Sequence, residues 1–203
     1  MKFCHFVFVA VIGMTLVFGM AVPSSLYAIV PTERIRETTD EIRAIVTDPK
    51  LKGGAKTKER RQRIRVALDV RFDFAEMAKR SLGHYWRRYP DQQKEFTRLF
   101  IELLERAYIG EIESFEDEII DYKKEIVDQE FAEVATSVTL PKTGHDFSVV
   151  YKLHLKDGDW KVYDVVFEGM SAVNNYRSQF NRVIVNSGFE DLMKRLREKG
   201  EMR

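Results

Sequence analysis

The sequence is short of the residues that usually carry catalytic chemistry. Its only cysteine is Cys4, near the N-terminus, so the rest of the chain offers neither a thiol nucleophile nor a disulfide. His84, His145 and His154 are isolated, and no H-E-x-x-H or C-x-x-C spacing places two metal ligands on one face. Neither a G-x-S-x-G elbow nor a phosphate-binding G-x-x-x-x-G-K-[ST] loop occurs. The sequence therefore predicts no metal site and gives no support to the common hydrolase and nucleotide-binding classes.

The chain also lacks an excess of charge of one sign. Its formal net charge is +1, which argues against a nucleic-acid-binding protein. Charge is uneven only locally: from Lys50 to Arg65 there are eight basic residues and a single acid, Glu59. This basic segment is either a solvated loop and helix face or a surface that attracts anionic headgroups or an acidic partner.

An apolar run near the N-terminus indicates secretion. The run extends from Phe6 to Val22 after a single lysine, and it is shorter than the roughly 20 residues of a spanning helix. A small residue, Ala28, offers a cleavage point. We expect a signal peptide over residues 1–28 and one domain over residues 29–203, with an uncleaved N-terminal anchor as the alternative.

The spacing of apolar residues predicts helices on both sides of a group of strands. Helical periodicity follows Pro31, runs from Arg65 to Phe115 with an interruption at Pro90, and returns after Ser171. Short alternating or β-branched segments with turn residues between them predict antiparallel strands. These segments are Glu133–Leu140, Phe147–Leu155 and Trp160–Phe167, with a weaker one over Ile119–Ile126. The order predicts an α+β domain in which helices pack on a curved, mainly antiparallel sheet.

Two carboxylates, Asp164 and Glu168, interrupt or end the last apolar strand. A carboxylate that becomes buried there needs hydrogen-bond partners. We expect a structural role, such as holding Tyr176 or Arg177.

Four segments in the same order resemble the MlaC family, also called the toluene-tolerance auxiliary family. They are FDFAEMAKRSLGHYWRR, EFTRLFIELLERAYIGEIESF, DGDWKVYDVVFEGMSAVNNYRSQF and GFEDLMKRL. The resemblance extends over nearly all of the chain after the signal peptide, and its most specific part is the tract from Trp160 to Ser171.

The resemblance implies a monomeric, non-enzymatic periplasmic protein that carries phospholipid as cargo and needs no cofactor. It implies transient contacts with an inner-membrane ABC transporter complex and an outer-membrane lipoprotein complex, in support of outer-membrane lipid asymmetry. It also implies an apolar pocket between sheet and helices, with the headgroup near its mouth.

By position, the residues expected to line this pocket are apolar side chains of the predicted helices and strands. They are Phe74, Met77, Leu82, Tyr85, Phe100, Leu104, Tyr108, Val149, Tyr151, Val162, Val165, Phe167, Met170 and Tyr176. Because neighbours on a strand alternate faces, either Val162 or Tyr163 begins the inward-facing set of the last strand. We expect both sets to contribute.

Three other functions stay open at this point. The residue types of the pocket do not separate acyl chains from a sterol-like ring, so the cargo could be a hopanoid. A cone-shaped α+β scaffold could instead hold an enzyme that uses Asp164 and His84 on a small substrate. A solid core would leave a plain adaptor that binds a partner through its surface.

Overall fold

A computed structural model describes residues 30–198. The predicted signal peptide lies outside the described residues. The helices are α1 (Pro31–Thr47), α2 (Thr57–Arg71), α3 (Phe74–Leu82), α4 (Gln93–Glu113), α5 (Ala172–Ser187) and α6 (Phe189–Arg197). The strands are β1 (Ile119–Asp128), β2 (Phe131–Leu140), β3 (His145–Lys156), β4 (Asp159–Phe167) and β5 (Met170–Ser171). The predicted α+β class is confirmed, and no helix in the described range combines the length and hydropathy of a membrane span.

The helical stretch expected from Arg65 onward differs from the structure at its start. Helix α2 begins earlier, at Thr57, and ends at Arg71. Asp73 then caps α3, because its side chain accepts a hydrogen bond from the backbone N–H of Glu76 at 3.0 Å. This break divides into two helices a stretch that apolar periodicity alone predicts as one helix.

The sheet is antiparallel throughout and its strands follow chain order from β1 to β5. Two of its turns are tight because both central residues adopt positive φ: 52° and 79° at Asp157-Gly158, and 47° and 78° at Glu168-Gly169. Such turns match the twist of the flanking strands and fix their register. The predicted hairpin arrangement is confirmed.

A β-bulge in β4 decides which side chains share a face. Val162 pairs with Leu153 and Val165 pairs with Tyr151, while Tyr163 is skipped in the ladder. Leu153 and Tyr151 are two apart on β3 and point the same way. The skipped residue shifts the alternation of β4 by one, so Val162 and Val165 lie on the same face despite their odd separation.

Apolar side chains form three separate clusters within residues 30–198. The helical cluster joins α3, α4, α5 and α6 around Phe96, Phe100 and Phe180, none of which has accessible surface. The sheet cluster places Ile35 of α1 against β2, β3 and β4, so we call this side of the sheet the α1 face. The third cluster lies between α1 and α2, around Ile64. The buried side chains are thus divided among three clusters, whereas a domain usually has one contiguous core with minor satellites.

Buried polar contacts fix the helices on the sheet. The Arg71 guanidinium donates a hydrogen bond to the Trp160 carbonyl oxygen and another, at 3.2 Å, to the Thr38 hydroxyl. It also forms an ion pair with Asp159 at 3.2 Å. These contacts join the end of α2 to α1 and to the start of β4. A buried arginine is tolerated there because its donors are satisfied.

Asp73 forms a second polar tie, between the start of α3 and the end of β3. Lys156 donates to its carboxylate at 2.7 Å, and the His154 ring lies 3.1 Å away. Burial raises the pKa of Asp73, but the hydrogen bonds from Lys156 and from the backbone N–H of Glu76 lower the pKa by more. The net pKa is below the usual value, so the folded protein favours the charged carboxylate.

Candidate functional site

Half-buried apolar side chains occupy the margins of the three clusters. Phe72 contacts both the helical and the sheet cluster, and Tyr122, Tyr151 and Val165 border the sheet cluster on the α1 face. Leu103 of α4 borders the helical cluster. We call these five residues the inner wall. Their shared property is an apolar surface that neighbouring side chains cover only in part.

Tyr151 has the most informative position in the inner wall. Burial raises the pKa of its phenol strongly, because burial disfavours the charged phenolate. Its side chain nevertheless keeps some accessible surface, and its hydroxyl has no hydrogen-bond partner among residues 30–198. Tyr151 pairs with Val165 across the β3–β4 ladder, so this free surface lies beside Val165 on the α1 face.

Tyr122 is fixed differently. Its hydroxyl lies 2.9 Å from that of Thr39 on α1, and the Arg36 guanidinium lies 4.2 Å from its ring centroid. The hydrogen bond and the cation–π contact hold the ring against the sheet. Tyr122 therefore presents an aromatic surface on the same face as Tyr151, with β2 between the two, and α1 sets its position.

The residues predicted to line a pocket separate into three groups. Those of the helical cluster are Phe74, Met77, Leu82, Tyr85, Phe100, Leu104 and Tyr176. Those on the α1 face of the sheet are Val149, Tyr151, Val162 and Val165. Tyr108, Phe167 and Met170 are 41%, 46% and 68% exposed. The structure thus brings the strand residues together and leaves three others at the surface.

Complete burial limits what some of these residues can contact. Phe100 and Val162 have no accessible surface because protein side chains surround them. In this conformation they support the wall and have no surface left for a ligand. Three inner-wall residues, Phe72, Leu103 and Tyr122, were missed by sequence reasoning. The alternation of Ile120 and Tyr122 in β1 is the signal that could have indicated the last of them.

The structural role predicted for Asp164 is confirmed, but its predicted partners, Tyr176 and Arg177, were wrong. Its Oδ2 accepts a hydrogen bond from the Ser171 hydroxyl at 2.6 Å, and its Oδ1 accepts one from the backbone N–H of Val173 at 3.0 Å. The carboxylate thus satisfies donors at the start of α5, where a negative charge is favoured.

Asp164 and His84, the possible enzymatic pair, line the same groove, but their contacts do not favour acid–base chemistry. Both carboxylate oxygens of Asp164 already accept hydrogen bonds, and His84 is exposed. Glu168, the other carboxylate singled out in the sequence, is exposed and accepts a hydrogen bond from the backbone N–H of Ser148, which lowers its pKa. Within residues 30–198 no group of three His, Cys, Asp or Glu side chains is placed to hold a metal ion.

The basic segment is largely ion-paired. Arg60 and Arg61 both contact Glu113 on α4, at 2.7 and 2.9 Å. Burial raises the pKa of Glu113, and the two guanidinium groups lower the pKa by more. Four further basic residues also have acidic partners; they are Lys52, Lys56, Arg63 and Arg65. This pairing favours a solvated helix face over a surface that attracts anionic headgroups.

Comparison with known proteins assigns the family. The model of a family described as MlaC protein matches residues 36–198. The intermembrane phospholipid transport system binding protein MlaC of Haemophilus influenzae is 24% identical over an alignment of 122 residues, and the match covers 58% of this chain and 57% of that protein. The matched region thus spans little more than half of that relative.

A solved structure extends the likeness to the fold. The phospholipid-binding protein from Ralstonia solanacearum, in complex with a phospholipid, has a TM-score of 0.74 and 26% sequence identity. The match covers 83% of this chain and 96% of that one. The resemblance found in the sequence is confirmed, and the chain belongs to the MlaC family.

Proposed function

We propose that this protein is a periplasmic phospholipid carrier whose recess beside Tyr151 holds acyl chains. The observation that carries the proposal is the half-buried apolar wall around Tyr151, a side chain that keeps free surface on the α1 face. The inner wall around it offers aromatic and aliphatic surface suited to hydrocarbon. Family membership, and the phospholipid bound to the Ralstonia solanacearum relative, support the same cargo.

The cost of exposing hydrocarbon to water sets how much shielding such a carrier must supply. Each buried methylene is worth about 0.8 kcal/mol, so two chains of about 16 carbons need on the order of 25 kcal/mol of shielding from water. A bilayer shields the chains about equally well, so the net free energy of loading lies near zero while the barrier to desorption is large. The protein then sets the rate and route of exchange, and partners that change its affinity set the direction.

The exposed predicted residues fit the mouth of the recess. Phe167 lies on the α1 face opposite Val149, and its ring centroid is 5.0 Å from that of Phe147. Met170 follows in the same tight turn and is 68% exposed. We assign these side chains to the entrance, where apolar surface continues from the inner wall toward solvent and a lipid would first make contact.

The proposal includes the biological setting. Residues 1–28 direct secretion, residues 29–203 form the carrier domain, and the exchange partners are an inner-membrane ABC transporter complex and an outer-membrane lipoprotein complex. Support comes from the apolar run before Ala28 and from the H. influenzae relative, which is named as part of an intermembrane phospholipid transport system.

Native mass spectrometry tests the cargo. The full-length gene is expressed, the protein is purified from the periplasmic fraction without detergent, and the retained molecule is identified after extraction. The expected result is a phospholipid bound to a chain cleaved after Ala28. A hopanoid in its place would support a carrier of another lipid, and a chain that never retains a lipid would support an adaptor.

A vesicle assay tests carriage. Labelled phospholipid in donor vesicles should reach acceptor vesicles at a rate that rises with protein concentration. An unchanged rate would contradict the proposed function even if lipid copurifies.

A further inference from the structure

A basic and aromatic groove lies where α3, the 3-10 turn Gly83–Arg87 and α5 meet β4. Its volume is about 610 Å³, and it shares His84 and Arg177 with an adjoining recess of about 220 Å³. The side chains that define its character are Lys79, Arg80, Trp86, Arg87, Tyr163 and Arg177. None of them belongs to the inner wall, so the groove is a separate site.

The groove is more basic than acidic, because its one carboxylate is that of Asp164, which already accepts hydrogen bonds from Ser171 and Val173. Lys79 and Arg80 both pair with Glu76, at 2.9 and 2.8 Å. Arg87 and Arg177 have no carboxylate partner within the described part of the chain. Two guanidinium groups are therefore available to an external anion, unlike those of the ion-paired basic segment.

Two arginines of the groove, Arg177 and Arg80, pack against neighbouring groups. A Cβ atom added to Gly83 would lie 2.7 Å from Nε and 2.8 Å from Nη2 of Arg177, so the guanidinium packs directly on the glycine backbone. Gly83 also has a φ of 58°, which favours glycine. The Arg80 guanidinium lies 4.0 Å from the centroid of the Tyr163 ring. Preorganised Arg, Tyr and Trp side chains are those that dominate binding energy in protein interfaces.

We propose that this groove docks an acidic, extended segment of a partner protein. Its size falls within the range of about 300–1,000 Å³ for ligand pockets, which suits a short segment and excludes a folded domain. Binding of an isolated phosphate is favoured where N–H groups at a helix N-terminus are free. At the start of α5, however, the backbone N–H of Val173 already donates a hydrogen bond to Asp164. A planar bilayer surface does not reach the floor of a concave site.

Charge reversal tests the proposal. The probe is a short fluorescent oligo-glutamate peptide, with an oligo-glutamine peptide of equal length as the neutral control. Fluorescence anisotropy is measured with the full protein and with the Arg177→Glu and Arg87→Glu variants. Arg182→Glu is the matched control, because Arg182 is also exposed on α5 and lies outside the groove.

The expected result is binding of oligo-glutamate that weakens roughly tenfold or more in each groove variant, with Arg182→Glu within about twofold of wild type. Binding should also weaken as salt rises. Equal loss in all three variants, or equal binding of the neutral peptide, would overturn the proposal. Arg177-dependent binding of inorganic phosphate or phosphatidylglycerol vesicles, without peptide binding, would overturn it in favour of those ligands. Lipid retention should be the same in all variants, so this test fails or succeeds independently of the carrier proposal.

Discussion

Replacing Val165 by tryptophan places a large side chain directly beside Tyr151, where we propose an open recess. Val165 is half-buried on the α1 face, so an added indole would enter the space that we propose for hydrocarbon. The indole takes the room of about three methylene groups, each worth about 0.8 kcal/mol. The loss is about 2.4 kcal/mol, or roughly a 50-fold weaker partition of lipid into the protein.

Two measurements on Val165→Trp separate an open recess from a filled core. Lipid retention is followed by native mass spectrometry in competition with wild type, and stability is followed by urea unfolding of lipid-free protein. An open recess predicts lost retention with unchanged or increased stability. Overpacking a filled core costs about 1–3 kcal/mol of stability instead.

The matched control is Val66→Trp, at a residue of α2 that is 53% exposed. It should change neither retention nor stability. The reasoning would be refuted if Val165→Trp unfolded at clearly lower urea while its lipid retention matched that of the control.

Three further predictions concern stability. The pKa of Asp73 is lowered on folding, so this carboxylate contributes fully to the free energy of unfolding above its ordinary pKa of 3.8, and the contribution disappears as pH falls through the lower folded pKa. Asp73→Asn should therefore flatten the acid side of the plot of unfolding free energy against pH, and an unchanged slope there would contradict this. Gly83→Ala should destabilise by more than about 1 kcal/mol because φ is positive there, whereas Gly110→Ala, with open space inside α4, should stabilise by about 0.5–1 kcal/mol; equal melting temperatures would refute the difference. Asp164→Ala should cost about 1–3 kcal/mol in urea unfolding by leaving buried donors unpaired, and a cost near zero would mean that the cap is dispensable.

The helices and strands were predictable where a single period dominates. The regular apolar spacing of α4 and the Asp157-Gly158 turn between β3 and β4 are local signals, and the structure follows both. The boundary between α2 and α3 was not recognised, although Asp73 is a good N-cap residue, because apolar residues continue across it.

The inner wall was only partly predictable because it depends on the β-bulge at Tyr163. A skipped ladder position has no compositional signal, yet it places Val162 and Val165 on one face. Ion pairing of the basic segment was equally hidden, since Arg60 and its partner Glu113 lie 53 residues apart in the chain. Burial also could not be derived from residue type, since Phe100 is completely buried while Phe167 is 46% exposed.

The most direct test of the central claim is a crystal structure of the protein purified from the periplasm without detergent. The expected result is continuous density for hydrocarbon chains along the α1 face of the sheet, in contact with Tyr151 and Val165. An interior filled by side chains at that position, with no hydrocarbon density in protein purified without detergent, would contradict the proposed lipid recess.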